Sequence, residues 1–122
     1  MKKLIIKYLI ISIIVTLPVT ANATTGTGWQ YTKQVYTYLD GTTFIRLNPA
    51  SSHVNPAGCT NTYYLSVEPS QLNHEKIYQM ALTAHAAKLK VYAYVSDIEC
   101  NGSYPKILAL QILNEWKLLN TY

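Results

Sequence analysis

Two hydrophobic periods, one of two residues and one of about 3.6, divide this chain, and their order limits the folds it can adopt. Several segments between residues 29 and 113 alternate between apolar or aromatic and polar side chains, as strands with one buried face do. The period changes to about 3.6 after Asn73, where five apolar residues share one stripe of a helix: Ile77, Met80, Ala81, Ala84 and Ala87. The pattern predicts a mainly β domain with a single helix.

The pattern predicts four strands over residues 29–38, 42–47, 63–67 and 90–96, and a near-continuous apolar run predicts a fifth over residues 106–113. Between the first two, Asp40-Gly41 suits a tight hairpin because glycine accepts a positive φ. Between the second and third, residues 48–62 are rich in Asn, Pro, Ser and Gly and predict a loop. We expect Asn73 to cap the helix.

This order of three strands, a helix and two strands in about 100 residues is that of the OB-fold, a five-stranded Greek-key barrel. The alternative architecture is an α+β domain with an open antiparallel sheet and one helix. The domain is predicted to span residues 24–122. Its tail from Asn114 is expected to form a short docking helix or an oligomer contact.

The N-terminus has the features of a secretory signal peptide. Three lysines within the first seven residues precede an apolar run over residues 9–19, which ends in Ala21-Asn22-Ala23. A permanent membrane anchor is disfavoured because the run is shorter than the roughly 20 residues that cross a bilayer, and Pro18 interrupts it. We therefore predict a signal peptide over 1–23, cleavage after Ala23, and a periplasmic or extracellular protein with no membrane span after processing.

The predicted mature chain contains two cysteines, Cys59 and Cys100. In an exported protein such a pair is most simply a structural disulfide, and closing a loop of roughly 40 residues stabilises a small domain by about 4 kcal/mol. A redox or metal role would require a close Cys-x-x-Cys spacing or a second pair of ligands, and the sequence has neither.

Charge argues against nucleic-acid binding. The whole chain carries a formal charge of +4, but three of its ten basic residues lie in the predicted signal peptide, so seven basic residues minus six acidic ones leave +1. An electrostatic footprint for nucleic acid needs a clustered basic face, and only Lys88 and Lys90 come close to one.

Catalysis has little support in the sequence. None of His53, His74 and His85 lies in a Gly-x-Ser-x-Gly, His-Glu-x-x-His or paired-carboxylate pattern, and each is interpreted as a surface or capping residue. Eleven residues of helix separate His74 from His85 by about three turns, too far to share a metal ion. We therefore expect no catalytic residue, no metal and no cofactor.

Segments of the second half of the chain carry a family resemblance. They are the helical run Asn73-His74-Glu75-Lys76-Ile77-Tyr78-Gln79-Met80-Ala81-Leu82, the strand Leu89-Lys90-Val91-Tyr92-Ala93-Tyr94-Val95, Cys100, and Tyr104-Pro105-Lys106-Ile107 before an apolar strand. Together they resemble the C-terminal half of AB5 bacterial toxin B subunits, and they are similar to small exported proteins of Gram-negative bacteria without an assigned activity. In the enterotoxin type the first cysteine lies near the mature N-terminus, whereas here it lies in the loop before the third strand.

The resemblance implies an OB-fold and a secreted, non-catalytic module that binds host glycans and assembles as a ring of copies. Composition adds support, because the predicted mature chain has ten Tyr and two Trp against one Phe, and these side chains offer sugars a flat apolar face with a polar tip. The predicted glycan-binding residues are Trp29, Tyr31, Arg46, Tyr92 and Tyr94, with Arg46 placed to pair with an acidic sugar.

The same residues also fit other interpretations. Each aromatic could be an ordinary strand residue in a cross-strand pair. The chain could instead be a periplasmic protein that binds another protein, as an inhibitor or as an immunity factor for a secreted toxin, or a small envelope protein with a structural role. The expected partner is therefore a host glycan or a protein, and not nucleic acid.

Overall fold

The computed structural model describes residues 23–113. Its elements, in chain order, are β1 (Thr24–Thr37), β2 (Thr43–Asn48), a 3-10 turn (Ala50–Ser52), β3 (Leu65–Val67), α1 (His74–Ala87), β4 (Val91–Asn101) and β5 (Tyr104–Ile112). The predicted signal peptide, apart from Ala23, and the tail from Asn114 lie outside these residues. Within this range, no helix combines the length and the apolar content that crossing a membrane requires.

Over residues 23–113 the protein is mainly β with one helix, and the five strands close into a ring in the order β1-β2-β3-β5-β4. Neighbouring strands are antiparallel except β3 and β5, which run parallel. The long strand β1 belongs to two pairings. Its first half pairs with β4, from Thr24 opposite Ser96, and its second half pairs with β2, as far as Thr37 opposite Thr43.

Strand β1 begins at Thr24, five residues before the predicted start. The segment contains two glycines and so shows no alternation of side chains. Thr27 points inward, and its hydroxyl accepts the Ala93 backbone N–H at 3.0 Å. Gly28 has a φ of +75° inside the register shift between Gly26 and Trp29, a conformation that favours glycine. The glycines therefore shape a strand that the periodicity did not indicate.

The core lies inside the ring and is covered by α1. Alternate residues of the strands supply its aliphatic side chains, among them Ile45, Leu47, Val91, Val95 and Ile107. From the helix, Ile77, Ala81 and Ala84 are buried, so the predicted stripe is confirmed for these three, while Met80 packs at the edge and Ala87 is exposed. Small side chains let the helix approach the sheet closely.

Asn73 and Lys88 flank the two ends of the helix α1. Asn73 occupies the position before the helix but makes no capping bond with its side chain. Its amide instead donates to the Leu108 carbonyl at 2.8 Å, which ties the helix start to β5. At the other end, Lys88 adopts a left-handed conformation with φ 55° and terminates α1.

The disulfide between Cys59 and Cys100 is confirmed, with a Cα–Cα distance of 5.9 Å that is ordinary for such bonds. It joins the loop between β2 and β3 to the end of β4. Asn55 organises the same loop, because its side chain both accepts the Cys59 N–H at 2.8 Å and donates to the Cys59 carbonyl at 2.7 Å.

Candidate functional site

Four of the five predicted glycan-binding residues lie on the outer face of β1 and β4. Trp29 is directly opposite Tyr92, with ring centroids 5.4 Å apart in an edge-to-face arrangement. Tyr92 is followed on the same face of β4 by Tyr94, whose ring centroid is 4.8 Å away. With Tyr31 and Lys90, these residues form a surface that we call the Trp29 face.

Gly26 lies beneath the Tyr92 ring of this surface. It lies opposite Tyr94 in the pairing of β1 with β4, and the ring of Tyr92 lies so close over it that a Cβ atom at this position would collide with the ring. The Tyr94 hydroxyl donates to the Gln111 side chain at 3.1 Å. The Tyr92 ring therefore occupies the space that a side chain at Gly26 would fill, and the hydrogen bond to Gln111 orients Tyr94.

Tyr31 and Lys90 form the cationic end of the Trp29 face. The Lys90 ammonium lies 5.4 Å from the centre of the Tyr31 ring, within the range of a cation–π interaction. Within residues 23–113, no carboxylate lies within 4.0 Å of Lys90. Trp29 and Tyr31 are 39% and 46% exposed, so both rings remain open to solvent beside an unneutralised charge.

A groove of about 430 Å³ adjoins this end of the surface. It lies between β1 and the C-terminal end of α1, and its walls are Tyr31, Thr32, Ala84, His85, Lys88 and Leu89. Thr32 Oγ1 and His85 Nδ1 are 2.8 Å apart, so a hydrogen bond joins the two walls. The groove offers an apolar floor with a hydroxyl, an imidazole and an ammonium group at its edges.

Arg46, the fifth predicted residue, belongs to a second aromatic surface. Its guanidinium carbon lies 3.9 Å from the centre of the Tyr63 ring, and Nη1 donates to the Tyr63 hydroxyl. We call the surface around it the Phe44 cluster; its members are Tyr36, Tyr38, Phe44, Arg46, Tyr63, Tyr64 and Tyr104. The structure therefore stacks Arg46 on a tyrosine of this cluster.

Phe44 lies at the centre of the cluster. Its ring stacks on Tyr36 at 5.2 Å and meets Tyr104 at 4.9 Å and Tyr64 at 5.6 Å, both edge-to-face. Burial, followed by the neighbouring Tyr64 and Tyr104, raises the pKa of Tyr36, so its hydroxyl stays neutral at physiological pH. The central rings of the cluster largely contact one another.

The three histidines hold structural elements together. His53, predicted as a surface or capping residue, is half-buried: its Nε2 accepts the Leu47 N–H at 2.9 Å, and its Nδ1 donates to the Thr62 carbonyl at 2.7 Å. His74 Nε2 lies 3.1 Å from the Thr43 hydroxyl. In the described part of the chain, no group of three or more His, Cys, Asp or Glu side chains is placed to hold a metal ion.

Sequence reasoning missed Lys90 and Gly26 as parts of the Trp29 face. The signal for Lys90 was present, because it alternates in phase with Tyr92 and Tyr94 on the same strand. Gly26 had no comparable signal, since its role depends on the register between β1 and β4. Comparison of the chain with protein-family models, with curated proteins and with solved structures gave no match.

Proposed function

We propose that this protein is an exported, non-catalytic module that binds glycans through the Trp29 face. The observation that carries the proposal is the convergence of Trp29, Tyr31, Tyr92 and Tyr94 on one outer face next to the Lys90 ammonium group, which has no carboxylate within 4.0 Å among residues 23–113. Strand pairing holds the Trp29 ring edge-to-face with Tyr92, so the exposed indole offers an apolar face of the kind that the CH-rich face of a sugar covers, with the tyrosine rings beside it.

The fold is consistent with this role. A closed ring of five strands with the helix after the third strand supports an OB-fold, the fold of toxin B subunits that the sequence resembles. The Cys59–Cys100 disulfide supports export, because such bonds persist in oxidising compartments.

Each part of the surface has a role in the proposed binding. Trp29 stacks on the sugar ring, Tyr92 holds the indole by its edge-to-face contact, and the Tyr94–Gln111 pair exchanges hydrogen bonds with the sugar hydroxyls. Lys90, and Lys88 at the edge of the groove, take the role expected of Arg46 and attract an acidic substituent. Binding should therefore weaken with ionic strength when the glycan is charged.

A glycan array probed with the processed, oxidised protein tests the proposal. Trp29→Ala and Gly26→Ala should both abolish retention, the second because its new Cβ displaces the Tyr92 ring. Tyr38→Ala is the matched control, since Tyr38 is an exposed aromatic residue outside the Trp29 face. A blank array, or retention that depends on Tyr38 and not on Trp29, would contradict the proposal.

The Phe44 cluster favours a second candidate function, binding of another protein as an inhibitor or immunity factor. Tyr and Arg are enriched among the residues that dominate protein–protein affinity, and here Arg46 and Tyr63 form one stacked pair. A partner captured by the wild-type protein and lost with Tyr63→Ala, but kept with Trp29→Ala, would favour this function.

Ring assembly is a separate proposal. The oligomeric mass of the processed, oxidised protein, measured by size-exclusion chromatography with light scattering, tests it. A single species of several copies supports a toxin B-subunit-like assembly, and a monomer at micromolar concentration argues against it.

A further inference from the structure

A third concave site lies where the β1–β2 turn, the segment after β3 and the β4–β5 turn meet. It has a volume of about 270 Å³ and shares no lining residue with the Trp29 face. The residues that matter for its chemistry are Asp40, Thr42, Phe44, Glu68, Asn101 and Tyr104. We call it the Asn101 cavity.

The buried end of the cavity presents a fixed hydrogen-bond acceptor. Asn101 is 5% exposed, and its side-chain nitrogen donates to the Ser66 carbonyl at 3.2 Å and to Gln71 Oε1 at 3.0 Å. These bonds use both amide protons, so the orientation of the amide is set and its oxygen is left without a donor in residues 23–113. Arg46 Nε is the single buried side-chain nitrogen or oxygen atom there that lacks a partner, so the Asn101 oxygen is not fully buried, and Asn101 lines the cavity.

Two carboxylates complete the polar side of the cavity. Asp40 Oδ1 accepts the Thr42 N–H at 2.9 Å, and this hydrogen bond holds the pKa of Asp40 below its ordinary value, so the group is charged at neutral pH. Glu68 is held near Asn101 because Gln71 Oε1 accepts both the Glu68 N–H at 2.9 Å and the Asn101 amide. Within the described residues, no basic nitrogen lies within 4.0 Å of either carboxylate.

The remaining wall is aromatic. The rings of Phe44 and Tyr104 meet at 4.9 Å between centroids and at an angle of 71°. Ring faces attract cations, carboxylates attract cations, and an amide oxygen accepts hydrogen bonds from them. The lining also includes the hydroxyl-bearing residues Thr42, Ser103 and Tyr104, but its charged groups are the two carboxylates, so a cation complements the cavity better than a neutral sugar does.

We propose that the Asn101 cavity binds an organic cation, namely the ammonium or guanidinium group of a lysine or arginine side chain on a peptide. The head group donates to Asn101 Oδ1 and the two carboxylates, and the aliphatic stem packs against Phe44 and Tyr104. This site is independent of glycan binding on the Trp29 face, so either proposal can fail without the other.

A ¹H–¹⁵N NMR titration of the oxidised protein tests the site. The probes are the Nα-acetyl methylamides of lysine and arginine, with the norleucine derivative as the neutral control and butylammonium as a head group without a peptide. The charged probes should shift the backbone signals of residues 40–44, 68 and 101–104. Stronger binding of the amino-acid derivatives than of butylammonium supports a peptide source, and equal binding supports a small amine as the source of the same cation.

Variants distinguish recognition of the positive charge from nonspecific apolar binding. Asp40→Asn and Glu68→Gln should each weaken binding of the lysine derivative about threefold or more, as expected for an exposed ion pair joined by neighbouring acceptors. Glu99→Gln is the matched control, because Glu99 pairs with Lys106 at 2.7 Å and does not line the cavity. Equal shifts with the norleucine derivative, or unchanged affinity in the Asp40→Asn, Glu68→Gln double variant, would overturn the proposal.

Discussion

The Trp29 face and the Phe44 cluster are both built from aromatic residues on the outside of the same ring of strands, but they use their rings differently. In the Phe44 cluster, rings from β1, β2, the segment before β3 and the start of β5 pack on one another, and Arg46 stacks on Tyr63. On the Trp29 face, the described rings form two such pairs, Trp29 with Tyr92 and Tyr92 with Tyr94, and the Lys90 ammonium is 5.4 Å from the Tyr31 ring. Trp29 and Tyr31 are exposed, as Tyr38 and Tyr63 at the edge of the Phe44 cluster also are, whereas the four rings at the centre of that cluster are half-buried.

This difference indicates that the centre of the Phe44 cluster mainly stabilises the fold, whereas the Trp29 face is available to a ligand. Each aromatic pair contributes about 0.5–1.5 kcal/mol beyond the free energy of burying its surface, so rings that pack against one another stabilise the fold. Rings that stay open contribute less to stability and keep their faces for a ligand. We therefore expect substitution of Phe44, at the half-buried centre of its cluster, to lower the free energy of unfolding, and substitution of Trp29 to affect binding instead.

The largest effect should come from the disulfide, which anchors the Phe44 side of the molecule. Replacing Cys59 and Cys100 together by Ser should lower the free energy of unfolding by about 4 kcal/mol, because the bond closes a loop with a sequence separation of 41 residues. Urea unfolding followed by circular dichroism measures it. A loss below about 1 kcal/mol would show that the loop is held by its other contacts.

A matched pair of truncations tests the comparison directly. Phe44→Ala should cost about 2 kcal/mol of unfolding free energy, less than a fully buried ring because Phe44 is half-buried. Trp29→Ala should cost less than about 1 kcal/mol and should remove glycan retention. Equal losses of stability in the two variants, measured by urea unfolding, would remove the distinction between the surfaces.

Acid should weaken the loop that leads into the Phe44 cluster. Burial lowers the pKa of His53 below its ordinary 6.5, an effect that the hydrogen bond to the Thr62 carbonyl opposes and nearby Arg46 reinforces. The folded protein therefore binds fewer protons at this site than the unfolded chain, so this contribution to stability is complete above pH 6.5. It is lost as the pH falls from 6.5 through the pKa of the folded state.

Urea unfolding at a series of pH values between 7.5 and 4.5 measures this loss, and the His53→Gln variant is the control. The variant should lack the part of the slope that His53 causes. An identical pH dependence in the two proteins would show that His53 does not titrate in this window. Spectral changes on acidification should appear near Tyr63 before they appear near Trp29.

The smallest effects should come from the two cation–aromatic pairs. Arg46→Gln should cost about 1 kcal/mol, because the guanidinium stacks at 3.9 Å on Tyr63 and is shielded from water. Lys90→Gln should cost less than about 0.5 kcal/mol, because its ammonium is more distant and solvated. Thermal unfolding of both variants checks the order, and a larger loss for Lys90→Gln would reverse the assignment of the two surfaces.

Much of the local structure followed from the sequence. Alternation indicated strands that line the core, the helical stripe indicated Ile77, Ala81 and Ala84, and the cysteine count in a chain predicted to be exported indicated the disulfide. The same alternation placed Tyr92 and Tyr94 on one strand face. These features depend on short-range periodicity or, for the two cysteines, on a single possible pairing, and both can be read directly from the sequence.

Other features depended on how distant segments meet. The sequence could not show that Trp29 faces Tyr92, that Tyr92 covers Gly26, or that Arg46 stacks on Tyr63, because strand register and loop path decide these contacts. The expected helix cap at Asn73 was wrong for the same reason: β5 offers its side chain a carbonyl that local sequence does not reveal.

The most direct test of glycan binding by the Trp29 face is the indole N–H signal of Trp29 in a ¹H–¹⁵N spectrum of the processed, oxidised protein. The spectrum is recorded during titration with a glycan that the array retains. We predict that this signal shifts in a saturable manner with the backbone signals of Tyr92 and Tyr94, and that the Phe44 signal does not move. A retained glycan that shifts signals elsewhere and leaves the Trp29 indole unchanged would contradict the account.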